Sequence, residues 1–158
     1  MIQCFDAILG ALPHTLVLGS SPSVISLEKS EYYGNLRNAF WPILNEVFGG
    51  NGFKNYSEKK EFAMLNHISI WDVVATCNRE GSLDSAIKDV DVNDIENVLM
   101  SNPSIKTVLF NGASVAKFYK KYVKYYPYRT EFFTMPSTSP AYTIPFERKL
   151  NEWEAKLY

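Results

Sequence analysis

The sequence predicts an α/β protein: a three-layer α/β/α sandwich with a central four-stranded parallel sheet, built by one domain over residues 1–158. Three observations predict it. Four short apolar runs have the length of buried strands. Segments with helical spacing separate them, and such alternation implies a mostly parallel sheet covered on both faces. Of the 158 residues, 46% are hydrophobic and 21% charged, which suits a soluble globular domain with a sizeable core.

Taken in order, Ile2, Phe5, Ile8 and Leu9 recur at helical spacing, so residues 2–12 are expected to form a short first helix. Leu16-Val17-Leu18 reads as a buried strand that opens into the small-residue loop Gly19-Ser20-Ser21-Pro22-Ser23. From Ser26 to Trp41 the chain reads as a polar loop carrying Tyr32 and Tyr33, with a turn at Gly34-Asn35. Phe40, Ile43, Leu44, Val47 and Phe48 then define a helix that Gly49-Gly50 stops. Pro42 is tolerated only near a helix start, which puts that start close to Asn38. Ser57 is the expected cap of a helix through about Asn66, with Phe62 and Leu65 inward.

Ile68 to Ala75 is the second strand, broken by Asp72, and Thr76 to Leu83 is polar and turn-rich. Asn93-Asp94-Ile95-Glu96 has capping-box-like spacing and starts a helix with Ile95, Val98 and Leu99 inward, which Asn102-Pro103 ends. Thr107 to Phe110 is the third strand, and Asn111-Gly112 turns it into a helix through about Lys124. Glu131 to Thr134 is the fourth strand, opening into Met135-Pro136-Ser137-Thr138-Ser139-Pro140-Ala141. Phe146, Leu150, Trp153 and Leu157 give a final amphipathic helix.

Composition narrows the function. A net charge of −1 excludes an indiscriminate polycation, while a local patch for nucleic acid stays open. The two cysteines, Cys4 and Cys77, cannot supply the four ligands of a closed zinc or iron–sulfur site. No apolar run approaches the roughly 18 residues of a membrane span, and the start of the chain lacks a basic secretory n-region. A cytoplasmic location and no membrane association are therefore expected. No Walker motif and no Gly-x-Gly-x-x-Gly is present, which disfavours a nucleoside-triphosphate or dinucleotide enzyme.

In open parallel sheets the site lies beyond the carboxyl ends of the strands. The loops expected there are Gly19–Ser23, Asp72–Asn78, Asn111-Gly112 and Pro136–Ala141, all rich in small or polar residues. The first can offer N–H groups and hydroxyls to an anion, or simply turn the chain. Asp72 at a strand end is either a structural acceptor or a ligand-reading carboxylate. Asn38 at a helix mouth is either an N-cap or an amide held beside the aromatic platform of Tyr33 and Phe40. His14 and His67 precede strands at the opposite end of the sheet, so a Ser-His-Asp triad lacks its histidine. The stripe Lys117, Lys120, Lys121 and Lys124 is read as solvated surface, with a phosphate-facing role as its alternative.

From about Leu16 to Trp153 the chain resembles the uracil-DNA glycosylase superfamily, and within it the hypoxanthine-DNA (DNA-deoxyinosine) glycosylases. Four pieces carry the resemblance: Gly19-Ser20-Ser21-Pro22 with Ser26-Leu27; Tyr32-Tyr33 through Arg37-Asn38-Ala39-Phe40-Trp41; Ile70-Trp71-Asp72-Val73 with Arg79-Glu80-Gly81-Ser82-Leu83-Asp84-Ser85-Ala86-Ile87; and Pro136-Ser137-Thr138-Ser139-Pro140-Ala141. The resemblance implies hydrolysis of the N-glycosidic bond of a deaminated base, hypoxanthine or also uracil or xanthine, flipped out of DNA. It implies Asn38 as the catalytic residue and Tyr33 as the aromatic that stacks on the base. Ser21, Asp72, Phe40 and Asn111 become the further base-pocket residues. Ser20, with Pro136, Ser137, Thr138, Ser139, Pro140 and Ala141, becomes the phosphate grip. It also implies a monomer acting on lesion-bearing DNA, without metal or organic cofactor and without a Schiff-base lysine. The chain departs from the family pattern at Ser23, where Gly is frequent, at Asn35-Leu36, where His-Pro is frequent, and at Tyr142, where a small polar residue is usual. Ser21 stands where many uracil glycosylases keep an acid or amide, so a modest rate is expected. The competing readings are a non-catalytic nucleic-acid- or nucleotide-binding module of the same fold and, less favoured, a serine hydrolase.

Overall fold

The computed structural model describes residues 1–157. Its centre is a sheet of four parallel strands in the order β3-β2-β6-β7. These are β2 (Thr15–Gly19), β3 (Ile68–Asp72), β6 (Thr107–Asn111) and β7 (Glu131–Met135). Successive side chains of a strand point to opposite faces, and the sheet uses both. On one face Val17, Ile70 and Leu109 pack against Phe40, Ile43, Leu44, Ala63, Trp153 and Leu157. These come from α2 (Phe40–Val47), α3 (Tyr56–Leu65) and α6 (Phe146–Leu157). On the other face Leu16, Leu18, Val108 and Phe110 pack against Ile95, Leu99, Val115 and Tyr119. These belong to α4 (Ile95–Ser101), α5 (Ala113–Phe118) and the π-helical turn that continues α5 over Tyr119–Val123. The three layers and the parallel sheet follow the pattern the sequence predicts.

Register decides which residues meet at the carboxyl edge. Gly19 pairs with Asp72, Leu18 with Phe110, and Asn111 with Met135. From β2 the chain crosses to β3 on one side, and after β3 it returns to lay β6 on the other side of β2. The crevice therefore opens where strand order reverses, between Gly19 with Asp72 and Asn111.

Several local expectations fail. Residues 2–12 form no helix: β1 (Ile2–Gln3) pairs antiparallel with β4 (Val74–Asn78), and Ile8 bridges to Ile70. Apolar periodicity over so short a stretch was outweighed by edge pairing with strands distant in sequence. The stretch Thr76 to Leu83 is not simply a loop either. The chain turns at Val73, whose N–H donates to Gly19 O (2.8 Å), and runs on as β4. With β1 and β5 (Lys88–Val92) it makes a small antiparallel sheet. Within the presumed polar loop, Ser23 caps a short helix α1 (Val24–Lys29), its side chain accepting from Ser26 N. In α3 the cap is Asn55 rather than Ser57, and Leu65 is exposed while Ala63 is buried.

Candidate active site

Four segments converge on one cavity of about 490 Å³ at the carboxyl edge of the sheet. The strand β2 and its loop supply Gly19, Ser20 and Ser21. The stretch between α1 and α2 supplies Tyr33 and Asn38. Asp72 comes from the end of β3 and Asn111 from the end of β6, while Ser137 to Tyr142 close one wall. Of the residues the sequence singles out, Phe40 and Pro136 stay outside this lining. Phe40 is fully buried beneath Tyr33, with ring centroids 4.3 Å apart. The Pro136 carbonyl accepts from Trp153 Nε1 (2.9 Å), which fixes the fourth loop to α6. The exposed lysines 117, 120, 121 and 124 line neither this cavity nor the groove beside it. His14 and His67 stack at the amino edge, 4.2 Å between ring centroids.

Asp72 is the most unusual group in the cavity. It is 3% exposed, and its Oδ2 has no hydrogen-bond partner among the described residues. Burial pushes its carboxyl up to about 7; the Asp84 carboxylate adds to this and the Arg79 guanidinium opposes it. The Tyr33 hydroxyl is likewise buried without a partner, and burial followed by the Asp72 charge raises it above the ordinary phenol. Gly19 is what lets the two approach: a Cβ there would lie 2.5 Å from Asp72 Oδ1 and 3.3 Å from Tyr33 Oη. Tyr33 itself takes a positive φ of 52°, a conformation uncommon for a bulky residue.

Asn38 lies one residue ahead of the helix N-cap, which is Ala39. Helix α2 begins at Phe40, and the Phe40 N–H donates to Asn38 Oδ1 (2.9 Å). The oxygen is thereby committed to the backbone. This fixes the amide orientation and turns Nδ2, a donor, away from the helix, on a residue that lines the cavity.

The rest of the machinery is a scaffold. Asn111 Nδ2 donates to Thr138 Oγ1 (2.9 Å), and Thr138 N donates to Asn111 Oδ1 (2.9 Å). The amide oxygen and one Nδ2 hydrogen hold the fourth loop, and the second Nδ2 hydrogen remains on a residue that lines the cavity. Ser20 Oγ donates to Asp84 Oδ1 (2.6 Å), and Ser114 Oγ donates to Asp84 Oδ2. Arg79 donates to Ser21 Oγ (3.3 Å), to the Pro22 carbonyl and to Gly81 O (2.7 Å). Ser21 is thus occupied by Arg79, and the Cys4 thiol reaches it at 3.5 Å. The stretch Arg79 to Asp84 carries part of the resemblance, yet none of its residues is singled out by sequence reasoning. Its contacts join residues 58 and 64 positions apart, and no local pattern signals that.

Beside the cavity runs a second, more open groove of about 470 Å³, which shares Asn38, Pro140 and Tyr142 with it. Lys149 of α6 lines this groove, buried, with Nζ donating to Ser139 O (3.0 Å).

Residues 10–158 match the family model of the uracil DNA glycosylase superfamily. The chain is 34% identical over 153 residues to a hypoxanthine DNA glycosylase of Methanosarcina acetivorans, covering 96% of this chain and 94% of that protein. It is 36% identical over 111 residues to a hypoxanthine DNA glycosylase of Methanosarcina barkeri, 70% of each chain. The solution NMR structure of a Methanosarcina acetivorans protein considered to be a uracil DNA glycosylase superposes with a TM-score of 0.83 at 32% identity, covering 98% of this chain and 95% of that one. Sequence, fold and the cavity at the carboxyl edge of the sheet thus agree that this chain belongs to the uracil DNA glycosylase superfamily.

Proposed function

We propose that the protein is a monofunctional DNA glycosylase: it takes hypoxanthine, and with it other deaminated bases, out of the DNA stack and hydrolyses the N-glycosidic bond. The names of the two Methanosarcina relatives support the substrate class. The observation that carries the reading is the buried Asp72 carboxyl, whose Oδ2 has no partner among the described residues, in a cavity walled by an aromatic ring and by a carboxamide with a free donor. An unpaired buried polar atom costs stability and persists where a ligand completes it.

The chemistry follows from these parts. Extruding a base costs a few kcal/mol, least for a mispaired base. Stacking on Tyr33, backed by Phe40, returns roughly 1–3 kcal/mol. Deamination converts a ring nitrogen beside an amino group into an N–H beside a carbonyl. An ionised Asp72 accepts that N–H and repels the lone pair that adenine or cytosine presents there, which is how a hydrogen-bonding site rejects a close analogue. Cleavage leaves negative charge on the departing base, and the Nδ2 donor of Asn38 is held ready for it. Ser21 offers no acid or amide to orient the attacking water, so the rate is expected to be modest. Lys149 is outside the cavity lining, in keeping with hydrolysis without a Schiff base. The enzyme is taken to act as a cytoplasmic monomer.

The test is incubation with oligonucleotides carrying a single deoxyinosine, deoxyuridine or deoxyxanthosine, followed by alkaline cleavage. An abasic product from deoxyinosine is the expected result. Tight binding with no product from any of the three would assign the chain to the binding-module alternative.

A further inference from the structure

We propose that the groove beside the cavity seats the nucleotide next to the extruded one on the same DNA strand, its base against Tyr142 and Phe146 and its phosphate on Arg37 and Lys149. The inference rests on the nucleic-acid reading of the main cavity. Three observations carry it. The first is continuity: Asn38, Pro140 and Tyr142 line both cavities, so a strand that sends one nucleotide into the first must pass the rim of the second. The second is charge: Arg37 and Lys149 line the groove, and none of its lining residues is acidic, in a chain whose net charge is −1. Such a local basic site attracts a phosphate and not a cationic partner.

The third is the character of the exposed apolar surface. Leu36 is 87% exposed, and Tyr142 and Phe146 are also exposed, all three lining the groove. Aromatic rings beside a cation are what an unstacked base and its phosphate require. Lys149 is 4% exposed and spends one donor on Ser139 O, and its Nζ lies 5.7 Å from the Tyr142 ring centroid. With one donor on Ser139 O, that ammonium keeps two for an anion. The neighbouring base would thus be held out of the duplex stack as well, and Tyr142, one of the departures from the family pattern, would be part of its platform.

The test is a double-mutant cycle read as Kd by fluorescence anisotropy. The lesion is 2′-fluoro-deoxyinosine, whose fluorine disfavours positive charge on the sugar and so keeps the glycosidic bond intact. Three duplexes are used: one unmodified beside the lesion, one with a baseless spacer as its 5′ neighbour, and one with the spacer as its 3′ neighbour. Loosening of the duplex by the spacer is common to both proteins and cancels in the ratio. For one of the two sides, the spacer is expected to weaken wild-type binding at least 5-fold more than it weakens Phe146→Ser, the scale of one base–aromatic stack, roughly 1–3 kcal/mol. Equal spacer effects in the two proteins on both sides would overturn the proposal. A dimer that Phe146→Ser dissolves would overturn it too, by giving the groove to a second copy of the chain. Phe146 is 38% exposed at the start of α6; should its variant not fold, Tyr142→Ser repeats the cycle. Excision of ordinary deoxyinosine is measured separately, so a failure of the glycosylase reading shows there while the cycle still reads the groove.

Discussion

Asp72→Asn separates the cost of a buried carboxyl from its use. The replacement keeps the size of the side chain and removes its titration. In the folded protein the Asp72 carboxyl is pushed up to about 7, against a reference value of 3.8, chiefly by burial. The folded state therefore binds the proton more tightly than the unfolded state. Between about pH 4 and 7 it holds more protons, so stability falls as pH rises through that window and levels off above about 7. The full fall is on the order of 4 kcal/mol, at about 1.4 kcal/mol per pH unit. Other carboxylates titrate in both proteins, so the informative quantity is the difference between the variant and the wild type. Urea unfolding at pH 4.5, 6 and 8 should show the variant gaining on the wild type with each step. Parallel stability curves would refute the burial argument.

Activity gives the second half of the test. If the carboxylate accepts the lactam N–H, wild-type single-turnover excision of deoxyinosine rises with pH through about 7. Asp72→Asn should lose that step and at least tenfold of the rate above it. The position of the step reports the neighbours: Asp84→Asn should move it to lower pH, and Arg79→Ala to higher pH, because the first removes a like charge and the second an opposite one. A stable Asp72→Asn protein with the wild-type rate and pH profile would remove Asp72 from base reading.

The remaining predictions concern the parts around it. Asn38→Ala should lose most excision while costing only about 0.5–2 kcal/mol of stability. Asn38→Asp should fold nearly as well and also lose excision, since it keeps the acceptor for Phe40 N–H and removes the Nδ2 donor; single-turnover rates and thermal unfolding of both check this. Tyr33→Ala should weaken lesion binding or turnover roughly 5- to 150-fold, the span of one base–aromatic stack, with Tyr33→Phe mild in a lesion-binding titration. Gly19→Ala should cost about 1–3 kcal/mol by urea unfolding and displace Asp72, because the added methyl lies 2.5 Å from its Oδ1. Ser139→Ala should weaken binding of lesion and undamaged DNA alike in a gel-shift titration, because phosphate contacts carry no base information.

The central sheet and the layers that cover it are legible in the order of the amino acids. Leu16–Leu18, Thr107–Phe110 and Glu131–Thr134 lie in short runs of strand length, and α2, α4 and α6 carry apolar faces at helical spacing. Parallel strands then force their loops to one edge, which groups Gly19–Ser23, Asp72, Asn111 and the Pro136–Ala141 loop at one end of the sheet. Packing adds the contacts that hold these residues: Asn111 exchanges hydrogen bonds with Thr138, Phe40 lies under Tyr33, and Arg79 donates to Ser21 Oγ. Val73 turns the chain out of the main sheet, β1 lies where periodicity predicts a helix, and β4 runs from the expected second strand's Val74-Ala75 into the stretch read as turn-rich. The physical reason is the same in each case. Strand length and amphipathic spacing are local properties, written within a few residues of each other. Edge pairing, the desolvation of Asp72 and the contacts of Arg79 and Asp84 depend on groups tens of residues apart, and only the packed chain brings these within reach of one another.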